Sequence, residues 1–115
     1  MKTHRLVMPG DLNQYGFLFG GKMLSWVDEA CWIAASLDFP NCRFVTVGMA
    51  KVDFHHGVGE GVILEINCLK QKQGETSVSY DVQVSRGRHD KADTLFSTCV
   101  SFVNVDENGD KCPIS

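Results

Sequence analysis

Two features of this chain have types and spacing that suit chemistry at a carbonyl: the pair Gly20-Gly21, and the carboxylate of Asp28 seven residues beyond the second glycine. Paired glycines let a ligand approach the backbone closely. If a helix begins here, its first N–H groups lack partners inside the helix and can donate to a developing oxyanion. A carboxylate partly desolvated by apolar neighbours is a better proton acceptor near neutral pH than one in water. Each feature also has a plainer reading. Gly-Gly before a helix serves as a turn or cap, and Asp28 could be a solvated residue of the helix's polar face, as Glu29 is expected to be.

The remaining reactive side chains give weaker signals. Cys31, Cys42, Cys68, Cys99 and Cys112 are odd in number and contain no C-x-x-C pair, so they read as reduced thiols, with Cys68 and Cys99 expected to be small hydrophobes inside strands. His55 and His56 are adjacent, and adjacent residues on a strand point to opposite faces, which makes them poor ligands for one metal. No metal is expected. Arg86, Arg88 and Lys91 form a basic cluster that could meet phosphates, although a solvated turn is the simpler account.

The elements that must position these residues follow from the pattern. Pro9 to Gly21 is rich in Gly, Asn and Asp, which is loop chemistry. From Lys22 to about Leu37 good helix formers run without Gly or Pro, and Pro40 ends the pattern. On the helical wheel Met23, Trp26, Val27, Ala30, Ile33, Ala34 and Leu37 form one stripe, widened by Leu24, Cys31 and Ala35. Asp28 borders that arc between Leu24 and Ala35 on one side and Trp32 on the other. The arc is wider than one sheet requires, so a further surface must cover its flank. Around the helix the sequence predicts strands: a short one near Arg5 to Met8, then 44–54, 62–69, 77–85 and 94–105, with polar connections at 70–75 and 86–93. One helix among five strands predicts an α+β fold with an antiparallel sheet wrapped around a single central helix.

Composition sets the bounds. At 115 residues the chain suits a single domain over 1–115. A formal net charge of -3 disfavours nucleic acid and anionic lipid as partners. No apolar run approaches the roughly 20 residues that cross a bilayer, and the first residues do not resemble a signal peptide, so a cytoplasmic protein is expected.

The residues from Met8 to Ala30 resemble an ordered signature, M-P-x-D-x-N-x-x-G-x-x-F-G-G-x-x-(L/M)-x-x-(M/V)-D-x-A, of hotdog-fold acyl-CoA thioesterases in the cytosolic and brain-type acyl-CoA hydrolase branch. Val45-Thr46-Val47 resembles the family's strand after the helix, and Phe102 to Gly109 its ending. The resemblance implies hydrolysis of acyl-coenzyme A to a carboxylic acid and coenzyme A. Asp28 then matches the carboxylate that acts as general base on water or as nucleophile, and Gly21 the helix-start amide that polarises the thioester. Asn13 matches a loop residue that positions water or substrate, although an Asx-turn role suits it nearly as well. Gly20, Phe19, Thr76, Ser77 and Arg86 are the implied substrate contacts. Coenzyme A enters as part of the substrate, with no cofactor. The implied partner is a second copy: a homodimer with active sites at the interface, extending to a dimer-based oligomer such as a hexamer.

The chain also departs from the pattern. Relatives carry F-x-x-P and then V-x-x-G-D where this chain has Phe54 to Gly61 with two histidines, and Glu75 stands where relatives often have Arg. Guesses at the acyl pocket are Met23, Trp26, Phe54 and Tyr80. Two rival readings stay open. A hydratase or dehydratase of this fold would need a histidine between Pro9 and Leu37, where there is none. A non-catalytic acyl-thioester binding module would keep the motif without turnover.

Overall fold

The strand pattern of alternate apolar residues builds one curved sheet around one helix. A computed structural model describes residues 1–87 and 93–115 of the chain. The elements are β1 (Lys2–Leu6), a 3-10 turn (Pro9–Asp11), α1 (Gly20–Asp38), β2 (Phe44–Phe54), β3 (Ile63–Gln73), β4 (Ser77–Arg86) and β5 (Thr94–Asn104). The strands form a five-stranded sheet in the order β1-β3-β4-β5-β2, every pairing antiparallel.

Alternation in β4 sends Val78, Tyr80, Val82 and Val84 inward. They meet Val27, Cys31, Ala34 and Ala35 of α1 in one core cluster. Burial of each large aliphatic side chain contributes about 1.5–3 kcal/mol, so the period-2 face of β4 is a main anchor of the helix. The far end of α1 is fixed by Tyr80, whose hydroxyl donates to Asp38 Oδ2 at 2.6 Å. Burial and that neighbouring carboxylate push the Tyr80 phenol well above its ordinary range, so it stays a donor. The Phe39 amide closes the last turn on the Ala35 carbonyl before Pro40 stops it.

Buried Asn104 ties the C-terminal segment to the sheet. Its Oδ1 accepts the Arg43 amide at 2.7 Å and its Nδ2 donates to the Pro113 carbonyl at 3.1 Å.

Several expectations need correction. The helix starts at Gly20, two residues early, because the Phe19 carbonyl accepts the Lys22 and Met23 amides and so draws both glycines into the first turn. The first strand is Lys2–Leu6, set by its register on β3, Lys2↔Asn67 to Leu6↔Ile63. β3 continues to Gln73 through the expected polar connection, since its hairpin with β4 closes at Gly74, whose amide donates to the Ser77 carbonyl. Ile33 and Leu37 of the wide arc remain exposed. Cys99 points to the outer sheet face, with its thiol 3.1 Å from Gln71 Oε1, because it alternates with the inward-facing Val100. Cys68 is buried as expected, its sulfur 3.4 Å from that of Cys31.

Candidate active site

Asp28 and Glu29 occupy opposite flanks of α1. Asp28 faces β2 and is half-buried, and its Oδ1 accepts the Thr46 hydroxyl at 2.6 Å. One turn later the Trp32 indole N–H donates to the Phe44 carbonyl at 3.0 Å, so two consecutive turns of the helix are tied to β2. Glu29 faces β1 and pairs with Arg5 at 3.6 Å, while the Arg5 guanidinium lies over the Trp26 ring at 4.6 Å. The apolar arc thus separates a solvated acid from one held by a hydroxyl. Thr46, which the sequence shows only as part of the Val45-Thr46-Val47 strand, is the polar neighbour of Asp28.

At the other end of the site, the Gly20 and Gly21 amides donate to no acceptor among the described residues. The two glycines differ in what they make room for. A Cβ on Gly20 would meet the Phe54 ring at 3.2 Å, so glycine there allows the ring to lie against the helix start. A Cβ on Gly21 would meet nothing within 4 Å. Glycine costs about 1 kcal/mol in a helix relative to alanine, and no contact among the described residues demands it at Gly21. Its surface is open to a ligand or a second chain.

Phe54 reaches the helix start from the far end of β2. A bulge between Ala50 and Asp53, with Lys51 at φ 55°, bends the strand, and the Thr98 hydroxyl satisfies the Ala50 carbonyl at 2.9 Å. Edge-to-face contact with Phe96, centroids 4.8 Å apart, fixes the ring. The Leu18 amide donates to the Val58 carbonyl at 2.7 Å. These contacts line an open cleft of about 230 Å³ beside Gly20, with Leu18, Met23, Phe54 and Val58 as apolar walls and His55 and His56 also along it. Of the four pocket guesses, Met23 and Phe54 are here. Trp26 lies on the β1 flank, and Tyr80 is sealed in the core.

The leading loop is pinned by its own polar groups. Asp11 Oδ2 accepts the Met8 amide at 2.8 Å and Oδ1 meets Lys22 Nζ at 2.9 Å. These partners hold the Asp11 carboxyl below its ordinary range. Asn13 Oδ1 accepts the amides of Tyr15 at 2.9 Å and Phe17 at 3.1 Å, an Asx arrangement that shapes the turn before Phe19. Its amide nitrogen is left for other partners.

The other sequence candidates do not gather in one place. Phe19 is the exposed N-cap of α1, next to Gly20. Thr76 and Ser77 lie at the β3–β4 turn, beside Val103 and the Phe44 end of β2. Arg86 ends β4 near the Phe54 end. At about 3.4 Å per residue the length of β4 separates Ser77 from Arg86 by roughly 30 Å. Arg88 and Lys91 lie outside the described residues. His55 Nε2 is 3.5 Å from both Ser97 Oγ and Asp53 Oδ2. One ring nitrogen facing both groups is not the two-nitrogen relay of a catalytic triad.

Among the described residues, no helix is long and apolar enough to cross a membrane, and no three His, Cys, Asp or Glu side chains converge as a metal site.

Known proteins resemble this chain in sequence and in fold. The family description "Thioesterase superfamily" matches residues 15–92. An uncharacterised acyl-CoA thioester hydrolase of Bacillus subtilis is 33% identical over 99% of this chain, which spans 66% of that protein. A hexameric hotdog fold thioesterase of Campylobacter jejuni superposes with a TM-score of 0.87 at 36% identity, over 98% of this chain and 88% of that one. The acyl-CoA hydrolase of Staphylococcus aureus, solved with butyryl coenzyme A and coenzyme A, gives a TM-score of 0.85 at 27% identity, over 99% and 68%. With its helix wrapped by an antiparallel sheet and the family match running from the leading loop through β4, this chain has the hotdog fold and belongs to the thioesterase superfamily.

Proposed function

We propose that this protein hydrolyses acyl-coenzyme A thioesters at a site shared between two copies of the chain. The observation that carries the reading is the placement of Asp28 and Gly21 on one helix. Seven residues at about 1.5 Å rise put them roughly 10 Å apart along the axis. A base and an oxyanion donor must both lie within hydrogen-bond reach of the same reacting centre. The Asp28 and Gly21 of one chain are too far apart for that.

A second copy resolves the mismatch. β2 is an edge strand, and α1 runs beside it with Asp28 at its Thr46 end and Gly20 at its Phe54 end. If two copies join antiparallel along β2, the Thr46 end of one meets the Phe54 end of the other. Asp28 then approaches the partner's Gly21. The names of the relatives favour acyl-CoA as substrate, and the hexameric assembly of the Campylobacter protein favours a dimer-based oligomer here.

In this reading the Gly21 amide holds the thioester oxygen as it gains negative charge, and Thr46 orients the Asp28 carboxylate. Asp28 takes a proton from water, which attacks the carbonyl, and coenzyme A leaves as the thiol. Direct attack by Asp28 would instead form an anhydride that water must then open. Single turnover in oxygen-18 water, read by mass spectrometry of the peptide that holds Asp28, detects the anhydride route when water opens it at the aspartyl carbonyl, because only that route can leave label on Asp28.

The test of the shared site is co-assembly of Asp28→Asn with Gly21→Pro. Proline removes the amide yet fits the first turn of a helix. Each variant alone should be nearly inactive. With random mixing of a twofold pair, half the sites of each heterodimer are intact, restoring about a quarter of wild-type thiol release. No recovery on mixing, with heterodimers confirmed by native mass spectrometry, would mean that base and donor act within one chain. Full activity of Asp28→Asn would remove Asp28 as base or nucleophile, and no thiol release from any acyl-coenzyme A by the wild type would remove the hydrolase assignment itself.

A further inference from the structure

We infer that Cys31 and Cys68 form a reversible oxidation site that closes to an internal disulfide under hydrogen peroxide; this goes beyond the hydrolase reading and does not depend on it. The Cys31 thiol of α1 donates to the Cys68 sulfur of β3 at 3.4 Å, across 37 positions of sequence. Both side chains are buried in the core. A disulfide is about 2.0 Å long, so closure asks the sulfurs to approach by about 1.4 Å. Among the described residues no other two cysteines share a thiol hydrogen bond. Cys99, on the outer sheet face, has Gln71 as its partner instead.

The two thiols are unequal, and the difference sets the order of steps. The hydrogen bond from Cys31 favours the thiolate of Cys68 and holds that thiol below its ordinary range. The same bond, together with burial, pushes the Cys31 thiol above its own. The thiolate is the nucleophile. The Cys68 sulfur attacks one peroxide oxygen, the O–O bond breaks, and the departing hydroxide takes up the proton that Cys68 gave up, leaving as water. Cys68 is then a sulfenic acid. Cys31 attacks the Cys68 sulfur, the S–O bond breaks, and the hydroxyl leaves as a second water with the Cys31 proton. Two thiols are oxidised to one disulfide, and peroxide is reduced to two waters. A route for so small an oxidant runs along the β1 side. An open cleft of about 210 Å³ lies between β1 and α1, and its lining includes Ala30, next to Cys31, and Ile66, which shares the inward face of β3 with Cys68. The β1 edge closes this end of β3 with five paired residues, and so short an edge strand opens locally without global unfolding.

The experiment treats the full chain with increasing hydrogen peroxide, alkylates the remaining thiols under denaturing conditions and maps the peptides by mass spectrometry. The expected product is a Cys31–Cys68 cross-link, about 2 Da lighter than the reduced pair and lost again with dithiothreitol. The cross-linked form should melt several degrees higher, because closing a loop of this length restricts the unfolded chain. Cys31→Ala removes the resolving thiol, so Cys68 should stop at the sulfenic acid and take a dimedone adduct that wild type lacks. If Cys31 and Cys68 both still alkylate once Cys99 is fully oxidised, or if the cross-link joins any other two cysteines, the proposal is overturned. Wild type alone decides this, so the outcome stands even where the alanine variant folds poorly.

Discussion

The sheet has two edges, and they are finished in opposite ways. β1 is five residues long and carries Lys2, His4 and Arg5. Lys2 and His4 reach Glu65 of β3 and Arg5 reaches Glu29 of α1, so charge on this edge is answered inside the chain. β2 is eleven residues long and leaves Val45, Val47, Val52 and Phe54 exposed. A short charged edge resists pairing with another chain, whereas a long apolar one invites it. The same asymmetry runs through α1, whose β1 flank ends in an ion pair and whose β2 flank carries Asp28 and the half-exposed Trp32. The β2 edge is the longer and more apolar of the two, and the candidate catalytic group lies on its side.

The largest test of that contrast puts a charge on each edge. Val47→Lys should give a monomer by analytical ultracentrifugation and lower thiol release by about 100-fold or more, because each monomer would hold only half of the oxyanion and base pair. Thr3→Lys on β1 should keep both assembly and rate. A monomeric Val47→Lys with full activity would break the link between the open edge and the site.

Next in size is the tie that holds Asp28 to the open edge. Thr46→Ala removes a hydroxyl donated to a carboxylate, an interaction worth about 1.5–3 kcal/mol, or about 10- to 100-fold if all of it acts on the rate. The loss should fall on kcat, since Thr46 orients the base, and Thr46→Ser should restore most of it. Equal defects in alanine and serine variants would point to the methyl group and to packing.

How much of this was legible in the sequence depends on whether the cause was local. The inward face of β4 was legible because alternation is a property of neighbouring residues, and so was the separation of Asp28 from Glu29, which the helical wheel fixes. The start of α1 was misjudged because Gly20 and Gly21 are poor helix formers, and the hydrogen bonds that draw them in depend on Phe19. Thr46 stood in a family-like strand, but its tie to Asp28 was not legible because it comes from α1 lying across β2, a contact between residues 18 positions apart. Cys99 was misplaced because a strand buried on one face shows apolar residues on both when one of them is cysteine. The pairing of Met23 with Phe54 required the bulge at Lys51, which no residue type near it announces.

On the closed side, effects should be small and confined to stability. Arg5→Ala removes an exposed ion pair and a stacked guanidinium, together about 0.5–1.5 kcal/mol, so it should lower Tm by a few degrees and leave thiol release and assembly alone. A rate loss comparable to that of Thr46→Ala would mean that the two flanks are not separate.

The smallest effect lies in the loop that joins the closed edge to the helix start. Asp11 accepts the Met8 amide and pairs with Lys22, with Arg5 adding a weaker attraction. These favour its charged form and put its folded midpoint below 3.8. The stabilisation is therefore present above the ordinary carboxylate range and is lost as pH falls through the lower folded midpoint. Lys22→Ala should raise the midpoint measured by carboxyl NMR only part of the way to 3.8, because the Met8 amide is the larger cause and remains. A complete return to the ordinary value would assign the shift to the ion pair instead. The loop would then be held by a contact that salt can screen, and high salt should loosen the helix start along with it.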